Sequence, residues 1–209
     1  MDVEHTTSLD DVKLLGYFET IKSVFLLKLI LLQSIVKRDD AGQLIIDASG
    51  LASATEEVRA LIDDPTFYKA LAIGNSELVL NFQEDIMTSL FSASWIVFEQ
   101  VTKDLTHTDY ATKEDDLSMC YQNGRFQFTD REKKDIAFFY YFRNAIQHYN
   151  GAYFAYRDLD HRYGGVDYRS EGHHGEKIIM SIEQAWRIAN DLERYTIKAW
   201  SNAKAFVAR

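Results

Sequence analysis

Apolar positions recur at three- and four-residue steps through four long stretches of the chain, and each stretch predicts a helix. The first runs from Asp10 to Val36 through Leu14, Tyr17, Ile21, Val24, Leu31 and Ile35. Leu26, Leu29 and Ile30 widen its stripe until it is apolar nearly all round, which predicts cover on more than one side, by core or by another subunit. The second runs from Ser76 to Leu105 on Val79, Phe82, Ile86, Leu90, Val97 and Val101. About thirty residues at 1.5 Å each would span roughly 45 Å, so helices of this length predict an elongated bundle.

The third helix starts after Thr129, with Glu132 at capping-box spacing, and passes through Ile136, Phe138, Phe139, Tyr140, Tyr141, Phe142 and Ile146 to at least His148. Gly151 is a plausible interruption. Ser181 and Gln184 repeat the capping pattern ahead of the fourth helix, which reaches about Phe206 through Ile182, Ala185, Ala189, Leu192, Ala199 and Trp200.

Between these stretches the pattern is weaker. Asp39-Asp40-Ala41-Gly42 reads as a turn, and Gln43 to Asp47 as either an extended piece or a loop. Ser53 and Glu56 predict a short helix that Asp63-Asp64-Pro65 interrupts, with a further short turn from Phe67 to Leu71. Thr106 to Phe128 is polar, with room for one short helix, and Asp158 to Gly175 reads as a loop. The expected fold class is all-α: an elongated bundle of about four principal helices with short extra helices, residues 1–209 forming one domain.

Composition supports helices over a turn-rich sandwich: 46% of residues are hydrophobic, with ten Gly and one Pro. Lys and Arg number 23 against 32 Asp and Glu, a formal charge of -9. That balance opposes sequence-blind adhesion to nucleic acid, so any phosphate contact must be local. Cys120 is the only cysteine, which excludes an intrachain disulfide and a thiolate-rich metal site. With an acidic N-terminus and no apolar leader, a cytoplasmic location is expected. The most apolar segment, Val24 to Leu32, is short and carries Lys28, so no membrane partner is expected.

Three polar residues interrupt the aromatic third helix: Arg143, Asn144 and His148. Unpaired charge is costly to bury, so such residues need partners or a wet cleft. Histidine exchanges protons near neutral pH, and arginine can bind two phosphate oxygens as charge develops on them. Together they suit phosphodiester cleavage without a metal. On a regular helix Arg143 and His148 lie about 7.5 Å apart along the axis and point in different directions, so a bound phosphate or a second copy of the helix is needed to unite them. The same residues have a structural reading, with Arg143 pairing an acidic residue and His148 packed among aromatic rings.

The string Phe142-Arg143-Asn144-Ala145-Ile146-Gln147-His148 resembles the motif of the HEPN family, the higher eukaryotes and prokaryotes nucleotide-binding domains. In that family an arginine, commonly followed by asparagine, precedes a histidine by a few positions near the end of a bundle helix. The resemblance implies a metal-independent endoribonuclease that needs no cofactor, dimerises to form a composite cleft, and belongs with toxin-antitoxin or antiviral systems. RNA would be the substrate, and an antitoxin or defence-system component a possible partner. Arg143 would bind and polarise phosphate, His148 would transfer protons and Asn144 would support both. The branch silenced by a nucleotidyltransferase has a tyrosine two positions after the histidine. Here that position is Asn150, and the tyrosine is the adjacent Tyr149. The alternative is a non-catalytic helical module that binds nucleotide, RNA or a protein partner.

Two other groups were candidates for chemistry. His161, His173 and His174 lack the spacing of a standard metal site, so no metal is expected there. Arg157, Arg162 and Arg169, with Tyr156, Tyr163 and Tyr168, offer a phosphate-contacting edge, although nearby acids favour an ion-paired loop. Gly164-Gly165 has neither Walker spacing nor a preceding predicted strand.

Overall fold

The computed structural model describes residues 11–38, 40–42, 44–46, 75–106, 124–155 and 158–207. Four long helices dominate: α1 (Asp11–Ile35), α2 (Asn75–Thr106), α3 (Asp130–Tyr149) and α4 (Ile182–Val207). Each lies within two residues of its expected bounds. The short helix expected after Ser53, the turn from Phe67 to Leu71 and Cys120 lie outside the described residues.

Two antiparallel hairpins qualify the all-α expectation. In the first, β1 (Val36–Arg38) pairs with β2 (Leu44–Ile46). The second corrects the loop expected from Asp158 to Gly175: β3 (Asp160–Tyr163) pairs with β4 (Val166–Arg169). Its two turn residues, Gly164 and Gly165, have φ of 60° and 86°. Left-handed values at both positions make the tight turn that matches strand twist, and glycine takes them without strain. Opposed residues then sort by face: Tyr163 and Tyr168 are buried, while Arg162 faces Asp167 at 3.8 Å and Arg169 faces Asp160 at 3.7 Å outside.

The chain divides into two compact units, one of Met1–Lys22 with Leu90–Arg209 and one of Ser23–Ser89. In the first, α3 and α4 supply much of the core. Helix α4 buries Ala185, Ile188, Ala189, Leu192, Tyr195, Ala199 and Ala203 along one face. Small alanines there leave room for the rings of α3, and Phe139 stacks near Tyr195 at 6.4 Å. Phe91 of α2 meets Phe142 edge-on at 4.9 Å, and Trp95 approaches Tyr140 at 6.2 Å. The aromatic run of α3 is therefore largely absorbed within its own chain. Phe138, Phe139, Tyr141 and Phe142 are all buried.

Within its own chain, helix α1 is less covered than α3. Its buried positions are Leu14, Phe18, Phe25 and Leu32, whereas Val24, Leu26, Leu27, Ile30 and Leu31 are exposed. The apolar-all-round sequence is covered along one stripe only. Among the described residues, no helix is long and apolar enough to cross a membrane.

The ends of α3 fix the chemistry it carries. At the N-terminus the capping box forms as expected: Glu132 N–H donates to the Thr129 hydroxyl, and Thr129 N–H donates to Glu132 Oε2 at 2.7 Å. Ser181 and Gln184 cap α4 by the same reciprocal bonds. At the C-terminus of α3, Asn150 adopts φ 51°, ψ 39°. Asparagine tolerates this left-handed conformation, and Gly151 follows it at φ 77°, donating its N–H back to Ala145 O at 2.9 Å. The helix stops one residue beyond His148.

Candidate functional site

Arg143, Asn144 and His148 occupy the last two turns of α3, but the structure joins only the first two directly. Arg143 Nη1 donates to Asn144 Oδ1 at 2.9 Å, and Asn144 is buried. Arg143 is half-buried, and its Nε is shut from solvent with no hydrogen-bond partner. No described acid pairs with it, so the ion-pair reading of this arginine does not hold among the described residues. A buried guanidinium donor without an acceptor is costly, and such exceptions call for a physical account.

His148 is exposed. Its ring meets Tyr149 edge-on at 6.5 Å, and Tyr149 stacks on Phe154 at 4.7 Å. It is thus open to solvent rather than packed among aromatics. Asn144 is committed to Arg143 and makes no recorded bond to His148, leaving the imidazole without the brace that the sequence offered it. Asn150, at the position where one family branch has tyrosine, serves as the left-handed helix cap.

A second polar assembly sits at the other end of α3. Asp135 is 5% exposed, on a helix face otherwise filled by Ile136, Phe138 and Phe139. Its Oδ1 lies 2.9 Å from His161 Nε2, and its Oδ2 accepts from Tyr195 OH at 3.0 Å. A carboxylate only accepts, so Nε2 of His161 carries a proton. Tyr195 in turn accepts from Arg194 Nη2 at 3.3 Å, while Arg194 also donates to Asp191 at 2.8 Å. Tyr163 OH donates to the other oxygen of Asp191 at 2.8 Å. The network therefore ties β3 to α3 and α4.

Burial raises the pKa of its two phenols well above the ordinary tyrosine value, and adjacent carboxylates push the same way: Asp191 on Tyr163, Asp135 and Asp191 on Tyr195. Both remain neutral donors through the physiological range. Arg194 moves upward too: burial opposes its charge, but Asp191 and Tyr195 outweigh that cost.

This assembly was mostly missed in sequence. Asp135 carried the available signal, a charged residue at the helical spacing of Phe139 and Phe142. His161 was considered only as a metal ligand. The three histidines are instead separated: His161 on Asp135, His173 on Glu176 at 2.8 Å, and His174 facing Asp158 at 3.6 Å. Among the described residues, no group of three or more His, Cys, Asp or Glu side chains is placed to hold a metal ion. Nor does the proposed stacking edge survive, since Tyr163 and Tyr168 are buried and Arg162 and Arg169 face acids across the hairpin. Tyr156 and Arg157 lie outside the described residues.

Compared with known proteins, the chain matches no family model, no curated protein and no solved structure. The class that the fold itself defines is a mostly helical chain with four long helices, whose third carries a polar group at each end.

Proposed function

We propose that the chain is a metal-independent endoribonuclease of the HEPN type that works as a homodimer on single-stranded or exposed RNA. The observation carrying this reading is Arg143. It is held by Asn144, retains a donor with no acceptor, and shares the C-terminal end of α3 with an exposed histidine.

In the proposed reaction the ribose 2'-hydroxyl oxygen attacks the adjacent phosphorus, and its proton passes to the His148 imidazole of one copy. The phosphorus–O5' bond breaks, and O5' takes a proton from the protonated His148 of the second copy. The products are a 2',3'-cyclic phosphate and a 5'-hydroxyl. Arg143 would bear on the non-bridging oxygens, where charge grows in the transition state. Five helical residues separate Arg143 from His148 by about 140° around the axis, which is the reason to invoke a second copy. An antitoxin or defence-system partner would act by covering this end of α3.

The unbraced His148 favours a second reading, a non-catalytic module in which Arg143 anchors a nucleotide, RNA or protein ligand. The two separate in one experiment, incubation of the parent protein with a mixed RNA pool in EDTA beside folded Arg143→Ala and His148→Ala variants. The nuclease reading expects cleavage by the parent and losses of at least about 100-fold in each variant. Unchanged cleavage by His148→Ala would sink it, and binding without cleavage in the parent would establish the module.

A further inference from the structure

The β3–β4 hairpin has two edges, and that of β3 opens onto a groove outside the Arg143 and His148 site. The groove has a volume of about 670 Å³ and is lined on one side by the consecutive residues Asp158 to Arg162 and on the other by α3, from Asp130 to Tyr141. No residue of β4 lines it, so it lies on the side of β3 away from its hairpin partner. His161 and Asp135, joined at 2.9 Å, bridge the two walls. Phe138 and Tyr141 are 1% and 3% exposed, so a ligand meets main chain and charge there rather than ring faces.

The register fixes which main-chain groups face the groove. Ser170 N–H donates to Leu159 O at 2.9 Å, which makes Leu159 and Ser170 a hydrogen-bonded pair of the antiparallel ladder. Bonded and non-bonded pairs alternate from there, so Asp160 opposite Arg169 and Arg162 opposite Asp167 are non-bonded pairs. The N–H and C=O groups of Asp160 and Arg162 therefore point away from β4, and among the described residues no hydrogen bond reaches them. An edge of unpaired donors and acceptors is a template for another strand.

The helix wall selects the charge of that strand. Arg131 and Lys134 are exposed and make no ion pair among the described residues. Three residues apart on α3, their Cβ atoms lie about 5–6 Å from each other. Side chains on one face of an extended strand repeat every ~6.8 Å, a spacing that sets one acid against each cation. The acids around the groove already face cations: Asp130 has Lys133 at 3.8 Å, Asp158 has His174 at 3.6 Å, and Asp160 has Arg169 at 3.7 Å.

We propose that an extended acidic segment of a partner protein adds to β3 in this groove. It runs antiparallel to β3, the pairing that is more stable per residue. Two of its residues, two positions apart, exchange N–H and C=O hydrogen bonds with Asp160 and Arg162. The alternate residues turn inward with His161 and present carboxylates to Arg131 and Lys134. The groove contains neither Arg143 nor His148, and strand addition there is independent of ribonuclease activity.

The test is fluorescence anisotropy of the full chain with a labelled, acetylated peptide, Thr-Thr-Glu-Thr-Glu-Thr-Thr. Saturable binding is expected. N-methylation of the threonines flanking each glutamate removes the donors that face β3 while keeping the charge, and should weaken binding at least about tenfold. Replacing both glutamates by lysine should do the same, and Arg131→Glu and Lys134→Glu should each weaken binding at least about fivefold. Arg162→Pro removes an edge N–H that the ladder to β4 does not use, so binding should fall while the circular dichroism spectrum is unchanged. Arg187→Ala, on α4 outside the groove, is the charge control and should leave binding unaltered. No saturable binding would overturn the proposal. Equal binding of the N-methylated peptide would also overturn it, leaving a bare cationic patch as open to RNA phosphates as to carboxylates.

Discussion

Replacing Asp135 by alanine should destabilise the first compact unit more than any exposed substitution on α3. The carboxylate is 5% exposed and accepts from His161 at 2.9 Å and Tyr195 at 3.0 Å. Hydrogen bonds to a charged group contribute about 1.5–3 kcal/mol each, so their removal costs about 3–6 kcal/mol. Alanine also relieves the cost of burying a carboxylate, which brings the expected net loss to about 3 kcal/mol. For a chain near this length that corresponds to roughly 6–12 °C in melting temperature. Asp135→Asn keeps the shape and one acceptor oxygen but presents an amide to one of two donors, and should lose about half as much. Urea unfolding followed by far-ultraviolet and near-ultraviolet circular dichroism reads both the backbone and the tyrosines. A loss under about 1 kcal/mol for Asp135→Ala would show that the buried network is not a structural tie, and would refute the reasoning.

Other outcomes follow from the same bonds. Thr129→Ala removes the acceptor for Glu132 N–H and should cost about 1 kcal/mol in urea unfolding, with Thr129→Gly recovering most of it. Tyr168 is pushed up to about 12 from 10.0, chiefly by burial and then by Tyr153. Its neutral form is the one the fold prefers, so its contribution is complete below pH 10 and disappears as the pH rises through about 12. Across that range tyrosinate absorbance should rise as urea midpoints fall; full ionisation of Tyr168 near pH 10 in the folded protein would contradict its burial. Asn144→Ala should release Arg143 and lower RNA cleavage while leaving the helix content unchanged, measured by initial rates beside circular dichroism.

The long helices were legible because each buries one stripe of a 3.6-residue period, and because two of them begin with reciprocal side-chain caps written locally as Thr129–Glu132 and Ser181–Gln184. The β3–β4 hairpin was hidden by its polar composition. His161, Tyr163 and Tyr168 turn inward from it, while Asp160, Arg162, Asp167 and Arg169 face out, so the two-residue alternation around Gly164-Gly165 was read as solvated loop. Likewise the wide apolar stripe of α1 could be read from its sequence, but not how much of it the chain itself covers, because that depends on what the rest of the chain brings to that face.

The candidate site divided in the same way. Neighbours in sequence, such as Arg143 and Asn144, could be placed together from helical geometry, and they do bond. Asp135, His161 and Tyr195 come from three elements separated by tens of residues, and their meeting is a property of packing that no local pattern announces. One helix points Arg143 and His148 apart, which is why the proposed function invokes a second copy.

The most direct measurement of the central claim is end-group analysis of RNA incubated in EDTA with the parent chain, Arg143→Ala and His148→Ala, each confirmed as folded and of equal oligomeric state. The account predicts 2',3'-cyclic phosphate and 5'-hydroxyl ends from the parent and neither from the variants. Ends bearing 3'-hydroxyl and 5'-phosphate, or cyclic phosphates that persist in both variants, would contradict it.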